Sequence, residues 1–157
     1  MKTKEDSPGA PFPPPLIYAL TFLLSILLER LFYLSSAILH TTALKYIGGA
    51  FILIALLLSV PAIRQFVKSK NTLAPIRPAN SLQTTGIYAT TRNPMYLGLL
   101  CLYIGLIPLL GNLWTLILVI IVILIVTAAV IKPEERYLER RFGQSYAAYK
   151  LKARRWV

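Results

Sequence analysis

The sequence predicts an all-α integral membrane protein of about four transmembrane helices with a helical, cytoplasmic C-terminal tail. Three observations carry that prediction. The chain of 157 residues is 56% hydrophobic with a mean hydropathy of +0.62. Its apolar residues are gathered into four long runs, and its net charge of +11 lies almost wholly between and after them. Cations placed at the ends of apolar runs, rather than over a soluble face, point to anionic membrane lipids as partners and not to nucleic acid.

Residues 1–15 are polar and then rich in proline (Pro8, Pro11, Pro13, Pro14, Pro15), a composition that predicts a flexible lead-in. Glu5, Asp6 and the prolines separate it from the pattern of a signal peptide. Residues 16–157 read as a single membrane domain. Its apolar runs, at about 16–37, 46–62, 94–110 and 113–131, are each near the length needed to cross a bilayer core. Only Gly111 and Asn112 separate the last two, which predicts an antiparallel helical hairpin. Pro108 reads as a tolerated membrane proline and Cys101 as a small packing residue that offers no disulfide and no metal site. Glu29 and Arg30 fall roughly 20 Å along the first helix, close to the far interface, where a structural or snorkelling role is expected.

Lysine and arginine set the orientation. Lys2 and Lys4 precede the first run; Arg64, Lys68, Lys70, Arg77 and Arg92 lie between the second and third; eight more follow the fourth, while Lys45 stands alone on the other side. The positive-inside rule then puts both termini and residues 63–93 in the cytoplasm. All the longer polar stretches thereby share one compartment.

Two of those stretches carry candidate chemistry. In GIYATTRNPMYLG (residues 86–98), Asn93 before Pro94 is a helix-start signal: the amide can cap a first turn, and proline at the first helical position loses no hydrogen bond. Arg92 therefore stands at the mouth of a membrane helix, beside its positive dipole end. The second stretch, KPEERYLERRFGQSYAAYKLKARRWV, follows the fourth run. Pro133 reads there as a helix start with Glu134 and Glu135 in its first turn, Gly143 as a divider between two short helices, and Ser145 as a cap for the second. Leu138, Phe142 and Tyr149 form an approximate apolar stripe. A basic amphipathic tail lying on lipid explains most of this stretch, but not the adjacent pair of carboxylates. These either bind a ligand bearing positive charge and hydroxyls or pair with Arg92 or Arg136.

The residues resemble the small integral-membrane methyltransferases related to isoprenylcysteine carboxyl methyltransferase and the phospholipid methyltransferases. RNPMYLG at 92–98, GIY upstream of it, the hairpin, and EERYLERRFGQSYAAYK at 134–150 follow the pattern R-[HN]-P-x-Y-x-G, hairpin, E-E-x-x-L-x-x-x-F-G-x-x-Y-x-x-Y. Arg154, Arg155 and Trp156 supply the basic close, and PPPLIY at 13–18 is similar to a bacterial subgroup. The resemblance implies S-adenosylmethionine as cofactor and methyl transfer to a lipophilic acceptor, a lipid or small molecule. It implies a cofactor site between the third helix and the tail, which completes it. Arg92, Glu135 and Arg154 are the implied catalytic residues, and Tyr88, Asn93, Pro94, Tyr96, Gly98, Glu134 and Glu135 the implied cofactor contacts. Asn93 replaces the His of many relatives, so no imidazole titrates there; Ala89 follows Tyr88 where many have a cation; and residues 71–78 lack the usual Gly-Thr. A carboxylate acceptor needs a cation to position it, for which Arg92 or Arg154 would serve. An amine acceptor needs a base, for which Glu134 or Glu135 would serve. The abundance of arginine leans toward carboxyl O-methylation, with amine N-methylation or a noncatalytic lipid-binding protein as alternatives.

Overall fold

A computed structural model describes residues 12–34, 37–69 and 79–157. Most of the proline-rich lead-in, together with Lys70, Arg77 and the 71–78 segment, lies outside the described residues. Among the described residues the fold has six α-helical segments: α1 (Pro14–Leu31), α2 (Thr42–Lys68), α3 (Pro94–Leu110), α4 (Leu113–Val126), α5 (Lys132–Phe142) and α6 (Gln144–Lys152). Short 3₁₀ turns at Ala37–His40 and Gly86–Ala89 precede α2 and α3.

The bundle is polar inside one end and apolar outside. Leu23, Leu57, Ile120 and Leu124 are each about 60% exposed, which suits a hydrocarbon solvent and not water. The core is built from Tyr18, Tyr96, Leu100, Tyr103, Val122, Val126 and Val130, where α1, α3 and α4 meet. Helix α2 packs along α3 on the other side. These two helices touch backbone to backbone: a Cβ on Gly105 would stand 2.8 Å from the carbonyl oxygen of Gly48, and one on Gly48 would stand 2.6 Å from that of Gly105. No side chain can swing aside to relieve such a clash, so Gly105→Ala must force the helices apart. The expected cost is about 1–3 kcal/mol, read as earlier unfolding of the purified protein in mixed detergent.

The third apolar run forms the helix expected of it, and the α3–α4 hairpin closes through Gly111 at φ 66°. Asn112 caps α4 by accepting the Thr115 amide at 3.1 Å and fastens the hairpin to α1 by donating to the Ser25 carbonyl at 3.2 Å. His40, the single histidine, packs against Gly111 at this end, remote from Arg92. The Trp114 indole donates to the Phe32 carbonyl nearby, and Glu29 and Arg30 sit at the same end of α1, Arg30 exposed.

Three boundaries differ from the sequence reading. Helix α1 stops at Leu31 instead of continuing to residue 37, because Phe32 leaves helical space at φ −135°, ψ 72°. Helix α2 is longer than the apolar run and extends to Lys68, carrying its basic last turns out of the bundle. Most consequentially, Pro133 does not begin a helix: α4 runs on through a π-helical turn at Thr127–Ile131 into α5, giving one helix from Leu113 to Phe142. Proline removes an amide donor and crowds the carbonyl four residues back; the wider turn just before Pro133 absorbs both. A 30-residue helix is about 45 Å long, against a hydrocarbon core of about 30 Å. The α5 portion, with Glu134 and Glu135, therefore stands clear of the spanning segment.

Candidate active site

At the end of the bundle that bears the α2–α3 connection, α5 and α6 fold back over the start of α3. Gly143, at φ 48°, makes the turn between them, a backbone conformation that favours glycine. Tyr146 and Tyr149 of α6 then pack with Leu138 and Phe142 of α5 and with Leu82. The Tyr149 phenol donates to the Tyr88 carbonyl at 2.6 Å; burial pushes that phenol up to about 12, against a smaller opposing effect of Arg92, so it stays a donor. Tyr88 stacks on Phe66 of α2 with ring centroids 6.3 Å apart. Gln65, one residue earlier, donates to the Thr85 carbonyl at 3.0 Å, and the Tyr137 hydroxyl accepts the Ala79 amide at 2.9 Å. The segment 79–89 is thus tied to α2, α5 and α6.

Arg92 lies between this segment and the tail. Its amide donates to the Arg154 carbonyl at 2.9 Å within an isolated parallel bridge of Thr91 with Arg154. Its guanidinium donates to the Ala153 carbonyl and to Glu135, both at 2.8 Å. Arg155 holds the same carboxylate with two bonds, at 3.0 and 2.7 Å. Burial alone would raise the Glu135 carboxyl, but the hydrogen bonds from Arg155 and Arg92 outweigh it and hold the group below its ordinary value.

Glu134, the next residue, is in the opposite condition. Its one partner among the described residues is the Tyr96 hydroxyl, which donates at 2.8 Å. Burial raises its carboxyl, the Tyr96 bond lowers it in part, and the neighbouring Glu135 charge raises it further, so the net displacement is upward. Two adjacent carboxylates are driven apart in proton affinity by their surroundings, an arrangement that often separates structural from acid–base roles.

Both carboxylates line a cavity of about 60 Å³ with Phe66, Tyr88, Arg92, Tyr146 and Tyr149. Of these lining residues, the Tyr88 hydroxyl and the Arg92 Nε are buried and find no hydrogen-bond partner among the described residues. On the membrane side, Tyr96, whose hydroxyl reaches the cavity-lining Glu134, lines an apolar cleft of about 320 Å³ whose walls include Pro14, Ala55, Leu56, Leu99 and Leu102. Tyr96 thus stands between a polar chamber and a greasy one. The Tyr18 hydroxyl fixes it by donating to its carbonyl at 3.1 Å.

Of the residues singled out in the sequence, Tyr88, Arg92, Asn93, Tyr96, Glu134 and Glu135 converge on this region. The others are placed differently. Asn93 makes no side-chain cap on α3; its amide donates to the Arg155 carbonyl at 2.8 Å, tying the helix start to the tail. Pro94 is buried in the first turn. Gly98 faces α2, where an added Cβ would collide with the Ser59 side chain, and borders the apolar cleft. Ser145 does not cap α6, whose N-cap is Gly143. Arg154 projects into solvent, and Arg155 takes the carboxylate instead. We expect Arg154→Ala to change thermal stability by no more than about 0.5 kcal/mol, and Arg155→Ala to cost several times that in the same melting experiment.

The long apolar helices mark an all-α integral membrane protein, and a buried polar cluster lies at one end of them. The phospholipid methyltransferase family model matches residues 44–145, more than half of the chain, and the chain belongs to that family. An uncharacterized protein from Haemophilus influenzae is 44% identical over 63 residues, which is 40% of this chain and the whole of that relative. No solved structure matches.

Proposed function

We propose that this protein transfers a methyl group from S-adenosylmethionine to a membrane-dissolved amine at the cytoplasmic face of a bacterial-type inner membrane, with both termini cytoplasmic. The observation that carries the reading is the contrast between Glu135, bonded by Arg92 and Arg155, and Glu134, which among the described residues meets only the Tyr96 hydroxyl. Family membership supports methyl transfer, and the lysine and arginine distribution supports the orientation.

The Tyr88 hydroxyl and Arg92 Nε, buried without a hydrogen-bond partner among the described residues that line this cavity, fit the carboxylate-bearing end of a polar cofactor. Arg92 and Tyr88 would hold its amino-acid end, with Glu134 close to the reacting centre. When bound, S-adenosylmethionine supplies an electrophilic methyl group on a sulfonium. The remaining work is alignment and the exclusion of water, for which the packed aromatic walls are suited.

The acceptor chemistry follows from which charges are already committed. Arg92 and Arg155 are both engaged by Glu135, and Arg154 is exposed. Carboxyl O-methylation, which the arginine count favours, needs one of these cations released. Among the described residues Glu134 has no cationic partner, and burial raises its affinity for protons, so its carboxylate can take the proton that an ammonium must lose before its nitrogen lone pair attacks. The cleft at Tyr96 admits the acceptor's hydrocarbon chain from the side.

Membranes containing the protein, given methyl-labelled S-adenosylmethionine, should yield lipid-extractable label that survives mild base, because N-methyl bonds do not saponify. Label released as methanol would point instead to a carboxyl ester, and no label dependent on the protein would defeat the methyltransferase reading altogether.

A further inference from the structure

The 60 Å³ cavity at Glu134 is far smaller than the roughly 300 Å³ at the low end of small-molecule sites, and smaller than the roughly 150 Å³ that accepts a benzene ring. It has room for the reacting end of an adenosyl sulfonium but not for its nucleoside. A second cavity, of about 430 Å³, lies directly beyond it, between the 79–89 segment and α6. The two share a wall made of Leu82 and Tyr149. Tyr149 is anchored by its hydrogen bond to the Tyr88 carbonyl. Leu82, an apolar side chain with no hydrogen bond to break, packs against the cluster that contains Tyr146 and Tyr149.

The chemistry of the outer cavity suits a neutral base and sugar. Its walls carry the Thr84 and Ser145 hydroxyls and the Lys152 ammonium, with Tyr149 offering aromatic surface; among the described residues no carboxylate lines it. Lys152 disfavours a cationic group there, whereas the inner cavity carries Glu134 and the unpaired Arg92 Nε and Tyr88 hydroxyl. The charge difference fixes a direction: charged end inward, nucleoside outward.

We propose that the outer cavity is the nucleoside subsite of the methyl donor, and that Leu82 is the partition that moves aside to join it to the inner cavity. The inference rests on the methyltransferase reading and adds where the cofactor's uncharged half lies. Ala148 and Ala89 stand on opposite walls of the outer cavity and are exposed, so a large side chain at either fills it without disturbing the core. Calorimetric titration of the purified full-length protein with S-adenosylhomocysteine tests this. Ala148→Trp and Ala89→Trp should each weaken binding at least tenfold at unchanged melting temperature, while Leu82→Ala should bind as tightly as the wild type or more so. Wild-type affinity in both tryptophan variants, or loss of binding in Leu82→Ala, would overturn the subsite alone. A wild-type protein that binds no S-adenosylhomocysteine would overturn the methyltransferase reading and the subsite with it.

Discussion

Replacing Glu134 with Gln is expected to lower methyl transfer by about 100-fold or more, the usual contribution of a general base, while leaving S-adenosylhomocysteine affinity within a few-fold of the wild type. Gln keeps the shape and can still accept the Tyr96 hydroxyl at the position where the carboxylate now accepts it at 2.8 Å, but it cannot take a proton. The pH dependence separates a base from a merely structural carboxylate. A base must be ionised to act, and burial holds the Glu134 carboxyl above its ordinary value of 4.5. The rate should therefore rise with pH through that elevated value, and the acidic limb should be missing from the residual activity of the variant. Stability should move the other way. The folded protein holds this proton more tightly than the unfolded chain, so Glu134 costs stability progressively as pH climbs from 4.5 through the raised folded value. Glu134→Gln should remove that decline. A variant with full activity would eliminate Glu134 as the base.

Replacing Glu135 with Gln should do something different: destabilise the tail and weaken cofactor binding together. Glu135 is the only acidic partner of both Arg92 and Arg155 among the described ion pairs. Removing its charge leaves two guanidiniums crowded at a site where Glu135 and Arg92 are each 10% exposed. Breaking a buried pair from one side costs about 3–5 kcal/mol, and the low end is expected because the Arg155 side chain is 39% exposed. The sign with pH is opposite to that of Glu134. The Glu135 carboxyl is held below 4.5, so its stabilisation is complete above that ordinary value and is lost as pH falls through the lowered folded one. Guanidinium release should show as exposure of α6 to proteolysis at Lys150 and Lys152. An unchanged melting curve in Glu135→Gln would refute the clamp.

Much of this organisation was legible in the sequence because it rests on punctuation and period. Asn93-Pro94 and Gly111-Asn112 bracket α3, and bilayer-length apolar runs leave few other folds open. The convergence of Arg92 with the Glu134–Glu135 pair was legible too, since a two-residue hairpin returns the chain to the same end of the bundle. What was not legible depends on side-chain direction. Pro133 reads as a helix start by local rule, yet a π turn carries the helix through it. Asn93 reads as a cap, but the nearby Arg155 carbonyl competes for its amide. Whether Arg154 or Arg155 meets Glu135 turns on the extended run after α6: Ala153 is at φ −113°, ψ 134°, so successive side chains point to opposite sides. A shift of one residue in the α6 end exchanges their roles, and nothing in the local sequence sets that register. The cavity residues Leu82 and Ala148 carry no distinctive signal at all; they become visible only once α6 is folded against the 79–89 segment.

A cofactor site built from the start of α3 and the helical tail should reveal itself in equilibrium binding of S-adenosylmethionine to the purified protein in lipid nanodiscs. One cofactor should bind per chain, displaced by S-adenosylhomocysteine, with affinity reduced at least tenfold by Arg92→Lys, which keeps a cation for Glu135 but loses the Nε donor. A folded wild-type protein that binds no cofactor, or an Arg92→Lys variant that binds as well as the wild type, would contradict it.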